Sequence, residues 1–273
     1  MDGFFNHPAV QGGVAPFVAG LAVVAILGRV QLGGLAVVAA FATAVALISG
    51  LDFTPLTAMR KVVLLALLAP ALGIAIDITL RPGRTVVTAI ALACGVLTVW
   101  VFWSVLRHKT GAEALLLGGG TALFIAWLVG ATMALSDKPV RAGAAALMLG
   151  LGAGISAILG ASALLGLYGI ALGAGAGAFL LWQMMTGQRL AAGATFTVSA
   201  AVAAGLVAAA ALVLAKVPWQ ALVALGAIPL AVRLPAPDLL PVWLQAFIVS
   251  AYGLAAAFVA FVLTWPTGAG PAG

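Results

Sequence analysis

Charge is scarce in this sequence. Lys and Arg number 12 and Asp and Glu 6, together 7% of the 273 residues, where a soluble domain carries about 25%. So few ionic groups cannot coat a water-soluble globule of this length, and that class is excluded. Histidine occurs only as His7 and His108 and cysteine only as Cys94. An intrachain disulfide is therefore impossible, and a zinc-type centre lacks its set of three or four ligands. Ser156 and Ser162 have no neighbouring histidine, lysine or carboxylate in the sequence to act as base, so serine hydrolase chemistry is not supported. There is no P-loop pattern, no paired-Asp motif and no soluble segment to house either. The expectation is a protein that is not an enzyme and holds no cofactor or metal. The first thirteen residues, MDGFFNHPAVQGG, contain Asp2 and no Lys or Arg, and Arg29 is the first basic residue. A cleaved signal peptide has a basic leading region, so the first span is expected to be retained.

What the chain has in abundance is apolar surface: 65% hydrophobic residues and a mean hydropathy of +1.27. Uninterrupted apolar runs of about 18 residues or more recur, each long enough to cross about 30 Å of hydrocarbon. The expected fold is all-α, a polytopic transmembrane helical bundle of about ten spans with short loops, forming one integral-membrane domain over residues 1–273. The spans are read at about 9–28, 32–50, 58–80, 85–107, 112–135, 141–162, 165–185, 192–215, 219–234 and 241–264. The ninth is short enough to be re-entrant instead. The bilayer is the expected partner. The net charge of +6 and pI near 10.3 come from basic residues scattered singly between the runs, which fits topology signals and headgroup contacts and not nucleic acid.

Local chemistry supports these divisions. Thr110 followed by Glu113 has the spacing of a capping box. Thr54 before Pro55 suggests a capped helix start with proline in the first turn, and Asp137 before Pro139 and Asp238 before Pro241 look similar. Trp100, Trp103, Trp182, Trp219, Trp243 and Trp265 fall near span ends, where an amphipathic ring prefers the headgroup level. Trp127 lies deeper and reads as a packed or lipid-facing ring. With an even number of spans, Arg29, Arg81, Arg84, Lys138, Arg141, Arg189 and Arg233 share one side, and Arg60, Lys61, Arg107, Lys109 and Lys216 the other. The positive-inside rule then places both termini outside the cytoplasm, with the chain multi-pass in a cell membrane of the bacterial inner-membrane kind.

Glycine is the other excess, at 34 residues. Apolar helices in lipid gain little by burying more apolar surface, so close backbone contact must hold them together. Gly169, Gly173 and Gly177 repeat at a spacing of four, as do Gly150 and Gly154. They predict a tight hairpin of spans 6 and 7, packed within one subunit or against a homo-oligomer or membrane-complex partner. A phosphate-cradling glycine loop would need a preceding strand, and no strand signal exists. The adjacent Gly118, Gly119 and Gly120 face every side of a helix and, with Thr121, suggest a crowded crossing or an unwound segment lining a cavity. Pro70 and Pro229 interrupt spans 3 and 9 and mark kinks that could shape the same substrate path.

Deep carboxylates are nearly missing. Asp77 sits about one turn inside span 3 and can pair at i,i+4 with Arg81; the pair is either an interfacial ion pair or a coupling site. Laying spans 1–4 on spans 7–10 superposes Pro70 on Pro229, Gly28 on Gly187 and Gly34 on Gly193, no more than this composition gives by chance, and an inverted five-plus-five layout is equally open. Two functions compete. One is a small transporter or permease for an uncharged or amphiphilic solute, with neutral polar lining from residues such as Thr43, Ser49, Thr98, Gln183, Gln245 and Tyr252. The other is a non-catalytic structural or assembly subunit of a membrane complex.

Overall fold

The computed structural model describes residues 7–28, 32–79, 83–215, 217–237 and 240–265. Among these the chain forms ten helices and no strand. They are α1 (Val10–Leu27, opening on a π-helical turn), α2 (Gly33–Ile48, opening on a 3-10 turn), α3 (Ala58–Thr79), α4 (Arg84–Leu106) and α5 (Gly111–Met133), then α6 (Pro139–Leu159), α7 (Ala163–Thr186), α8 (Gly193–Leu214), α9 (Trp219–Ala231) and α10 (Val242–Thr264). Eight are long and apolar enough to cross a membrane; α2 and α9 are shorter. The chain is thus an all-α, multi-pass membrane bundle.

Helix ends follow the local sequence with two corrections. The backbone N–H of Glu113 donates to Thr110 Oγ1 at 3.4 Å, half of the expected capping box. Pro139 opens α6 in its first turn, where its missing N–H loses nothing, but Lys138 occupies the cap position and no side-chain cap bond from Asp137 forms. Thr54 does not start α3. Its N–H and hydroxyl both donate to the Asp52 carboxylate, at 3.0 and 2.8 Å, so Thr54 is held in a local turn that competes with the cap. The helix starts after Thr57, whose Oγ1 accepts from the Arg60 N–H at 3.3 Å. Asp238 lies outside the described residues.

The two ends of the bundle can be called the His7 end and the Arg233 end. Short α9 runs between them. Val217, just before it, packs against Gly160 at the end of α6, while Val232 and Leu234, just after it, accept hydrogen bonds from Arg141 at 2.9 and 3.0 Å near the start of α6. A re-entrant ninth segment is thereby corrected. α2 likewise joins both ends, from Gly34 packed on Phe196 to Leu47, whose carbonyl accepts from Gln11. At 1.5 Å per residue α9 covers about 20 Å, and the segment after it completes the distance.

Small residues set the packing. α8 is the central helix: it is buried along most of its length, from Ala194 to Ala211, and α2, α3, α4, α5, α6, α7 and α9 all touch it. Its middle is largely alanine, from Ala200 and Ala201 to Ala208 and Ala211, which lets seven neighbours approach one backbone. α6 and α7 form the tightest hairpin. A Cβ at Gly150 would collide with the Gly173 nitrogen, and one at Gly169 with Gly154 Cα. Gly177, by contrast, has only ordinary contact with Leu147, at 3.5 Å.

The helices divide into two successive sets of five. Val10 and Pro139, Gly33 and Ala163, Ala58 and Gly193, Arg84 and Trp219, and Gly111 and Val242 are separated by 129, 130, 135, 135 and 131 residues. Packing repeats with the spacing. α1 on α2 corresponds to α6 on α7, and α4 on α5 to α9 on α10, while α2 on α7 and α3 on α8 pair equivalent helices across the middle. Because five is odd, the second set crosses in the opposite direction to the first. The symmetry is incomplete, since α6 also packs extensively on α8 and α10.

Candidate functional site

The ends of α3, α4, α5 and α8 come together at the Arg233 end, beside two cavities that share Trp127 as a wall. Asp77, near the C-terminus of α3, reaches across to the first turn of α8. Its Oδ1 accepts from the Ala194 N–H at 2.7 Å, and its Oδ2 accepts from the Thr195 N–H at 2.8 Å and the Thr195 hydroxyl at 2.7 Å. A carboxylate placed there satisfies donors that have no intrahelical partner and meets the positive end of the helix dipole. Gly193, which precedes the capped donors, has φ +60, and a Cβ on it would stand 2.6 Å from Asp77 Oδ2. Glycine is therefore required for the carboxylate to come this close. Asp77 thus links α3 to α8, a contact not expressed by the i,i+4 reading; Arg81 lies outside the described residues.

Asp77 also lines a polar vestibule of about 1000 Å³ between the facing ends of α3, α4 and α5. Its other polar walls are Arg84, Thr88, Ser136, Asp137 and Arg233. Arg233 is anchored by donating to the Ala131 carbonyl at 2.9 Å, which fixes the segment after α9 over the end of α5. A second, almost wholly apolar groove of about 700 Å³ runs between α5 and α9, from Leu116 and Trp219 to Trp127 and Leu230. Trp127 lines both spaces. Its indole N–H donates to the Gly226 carbonyl at 2.8 Å, pinning the ring across the gap between α5 and α9. The groove opens sideways: Leu116, Leu123 and Trp219 are 75%, 71% and 63% exposed, so in a bilayer this face meets hydrocarbon. A smaller cavity of about 160 Å³ lies at mid-depth beside Cys94 and Thr98.

The sequence-derived path residues do not converge. α5 is continuous through Gly118–Gly120, so the unwound segment is corrected: a backbone with no water to bond keeps its helical hydrogen bonds despite three glycines. Nor do the three form a crowded crossing. Gly118 touches Leu106, while a Cβ on Gly119 or Gly120 would meet nothing within 4 Å. Gly120 alone of the three lines the groove. Thr121 is buried, and its hydroxyl donates to the Leu117 carbonyl at 2.7 Å. Pro70 is buried in α3 and Pro229 in α9. Thr43, Thr98, Thr197 and Ser199 also donate back to carbonyls four residues earlier, so their hydroxyls serve their own helices.

The residues that the sequence did not single out for this site are Trp127, Trp219, Gly226, Arg84 and Arg233. Trp127 was legible as the one tryptophan away from a span end; the others carry no local signal. No protein-family model and no curated protein matches this chain.

Proposed function

We propose that this protein is a small transporter of amphiphilic solutes. The observation that carries the reading is the doubled architecture: two sets of five helices at near-constant spacing, oppositely directed, with α2 on α7 and α3 on α8 crossing at the middle. Oppositely directed repeats give two related conformations, each opening one end of the pathway, by rocking one set against the other. The cavities support the substrate class, since a polar vestibule and an apolar groove share Trp127 as a wall and, among the described residues, no deep charged path is built for an inorganic ion.

The rival role, a structural subunit that binds partners through small-residue faces, is less well supported. Gly150, Gly154, Gly169 and Gly173 are used against one another inside the chain. The test is transbilayer movement of a fluorescent lysophosphatidylcholine in liposomes with and without the purified protein. Protein-dependent movement is expected. Movement at the protein-free rate, together with isolation from membranes only as a component of a stable hetero-complex, would assign the subunit role.

A further inference from the structure

We infer that the α5–α9 groove and the vestibule beyond Trp127 form one binding site for a phosphate-bearing acyl lipid, the chain in the groove and the headgroup among Arg84, Ser136, Asp137 and Arg233. This rests on the transport reading for its purpose but not for its test. The groove is apolar along its length and opens sideways at membrane depth, so the molecules that reach it are acyl chains. From Leu116 to Trp127 the helix rises about 16 Å, enough to hold most of one chain of a bilayer leaflet. At Trp127 the apolar lining gives way to the vestibule, where the guanidinium groups of Arg84 and Arg233, the carboxylates of Asp77 and Asp137 and the hydroxyls of Thr88 and Ser136 line one space, a mixed set that suits a zwitterionic phosphate headgroup. Guanidinium groups suit phosphate by charge and by paired donors. Apolar and polar spaces that share Trp127 as a wall match the two portions of one amphiphile and not a second protein copy, whose apolar face would leave the polar walls of the vestibule uncovered.

Two glycines supply a matched pair of variants. A side chain at Gly120 projects into the groove, and one at Gly119, the next residue, stands in open space outside it. The protein is placed in vesicles containing a phosphatidylcholine with a photoreactive group in its acyl chain, irradiated, and the labelled peptides are mapped. Label concentrated on α5 and α9 is expected, reduced at least fivefold in Gly120→Leu and unchanged in Gly119→Leu, with both variants melting at or above the wild-type temperature. The same photoreactive chain on a diacylglycerol, which lacks phosphate, should label several-fold less, and Arg84→Gln should narrow that difference. Label spread evenly over all lipid-facing helices, or equal labelling by the two lipids, would overturn the proposal. So would a crosslink joining two copies through α5 and α9. Because labelling is an equilibrium measurement, it can succeed where the transport assay fails, and the converse.

Discussion

Asp77 shows how one residue can be recognised in a sequence and still be misread. It stands out as the carboxylate set deepest within a span, but its partners are 117 and 118 positions away, beyond any local spacing rule. Hydrogen bonds to a charged acceptor contribute about 1.5–3 kcal/mol each at best, and a helix cap about 1 kcal/mol. Since Asp77 is open to the vestibule on its other side, Asp77→Ala should destabilise the protein by about 1–2 kcal/mol, measured as thermal unfolding in detergent. Gly193→Ala should do at least as much, because its Cβ meets the carboxylate in a backbone conformation that disfavours L side chains. The double variant should lose less than the two single losses added together, since removing the carboxylate removes the clash. In the loop before α3, hydrogen bonds from the Thr54 N–H and hydroxyl, with Arg60 at 3.8 Å, hold the Asp52 carboxyl below the ordinary carboxylate pKa. A lowered folded-state pKa stabilises this turn at neutral pH and ceases to do so as pH falls through that pKa. Amide exchange at Thr54 should therefore accelerate in acid beyond the intrinsic pH effect, and in Asp52→Asn lose that extra pH dependence.

At the scale of elements, the sequence was most informative where one physical rule acts alone. Apolar run length located all ten helices, including the two short ones, because the hydrocarbon thickness fixes what a span must be. Glycine spacing on α6 and α7 pointed to the faces now found in contact. It failed on α5, because adjacent glycines record only the absence of side chains, and what fills the space beside them depends on α9, far along the chain. The seam makes a graded prediction. Gly150→Ala must push the α6 and α7 backbones away from each other and should destabilise by about 1–3 kcal/mol, whereas Gly177→Ala, with ordinary clearance, should be neutral or slightly stabilising through better helix propensity. Thermal melts of the two variants side by side would check this.

At the scale of the whole molecule, the doubling became visible only once helix starts could be aligned and neighbours named. A composition dominated by Ala, Gly, Leu and Val hides sequence identity between halves in chance matches. Ten helices joining both ends place residue 7 and residue 265 on the same side, so reporters fused at either terminus should give the same signal. Among the described residues the Arg233 end holds Arg84, Lys138, Arg141, Arg189 and Arg233, and the His7 end Arg60, Lys61, Arg107 and Lys109. If the richer end is cytoplasmic, both reporters will be silent in a cytoplasm-dependent assay and active in an external one.

The clasp on α8 breaks the likeness of the halves at one informative point. With the 135-residue spacing of α3 and α8, the counterpart of Asp77 is Leu212, so the same crossing is bolted by polar bonds at one end and merely greased at the other. On the transport reading proposed above, the Asp77 bonds add to the energy of parting α3 from α8 at that end, so the two swings of the bundle would differ in energy. Asp77→Asn should ease that end apart, raising the reactivity of a cysteine introduced at Ala192, which is buried beside Gly193, in a Cys94→Ser background; a fall or no change would show the bolt to be static scaffolding.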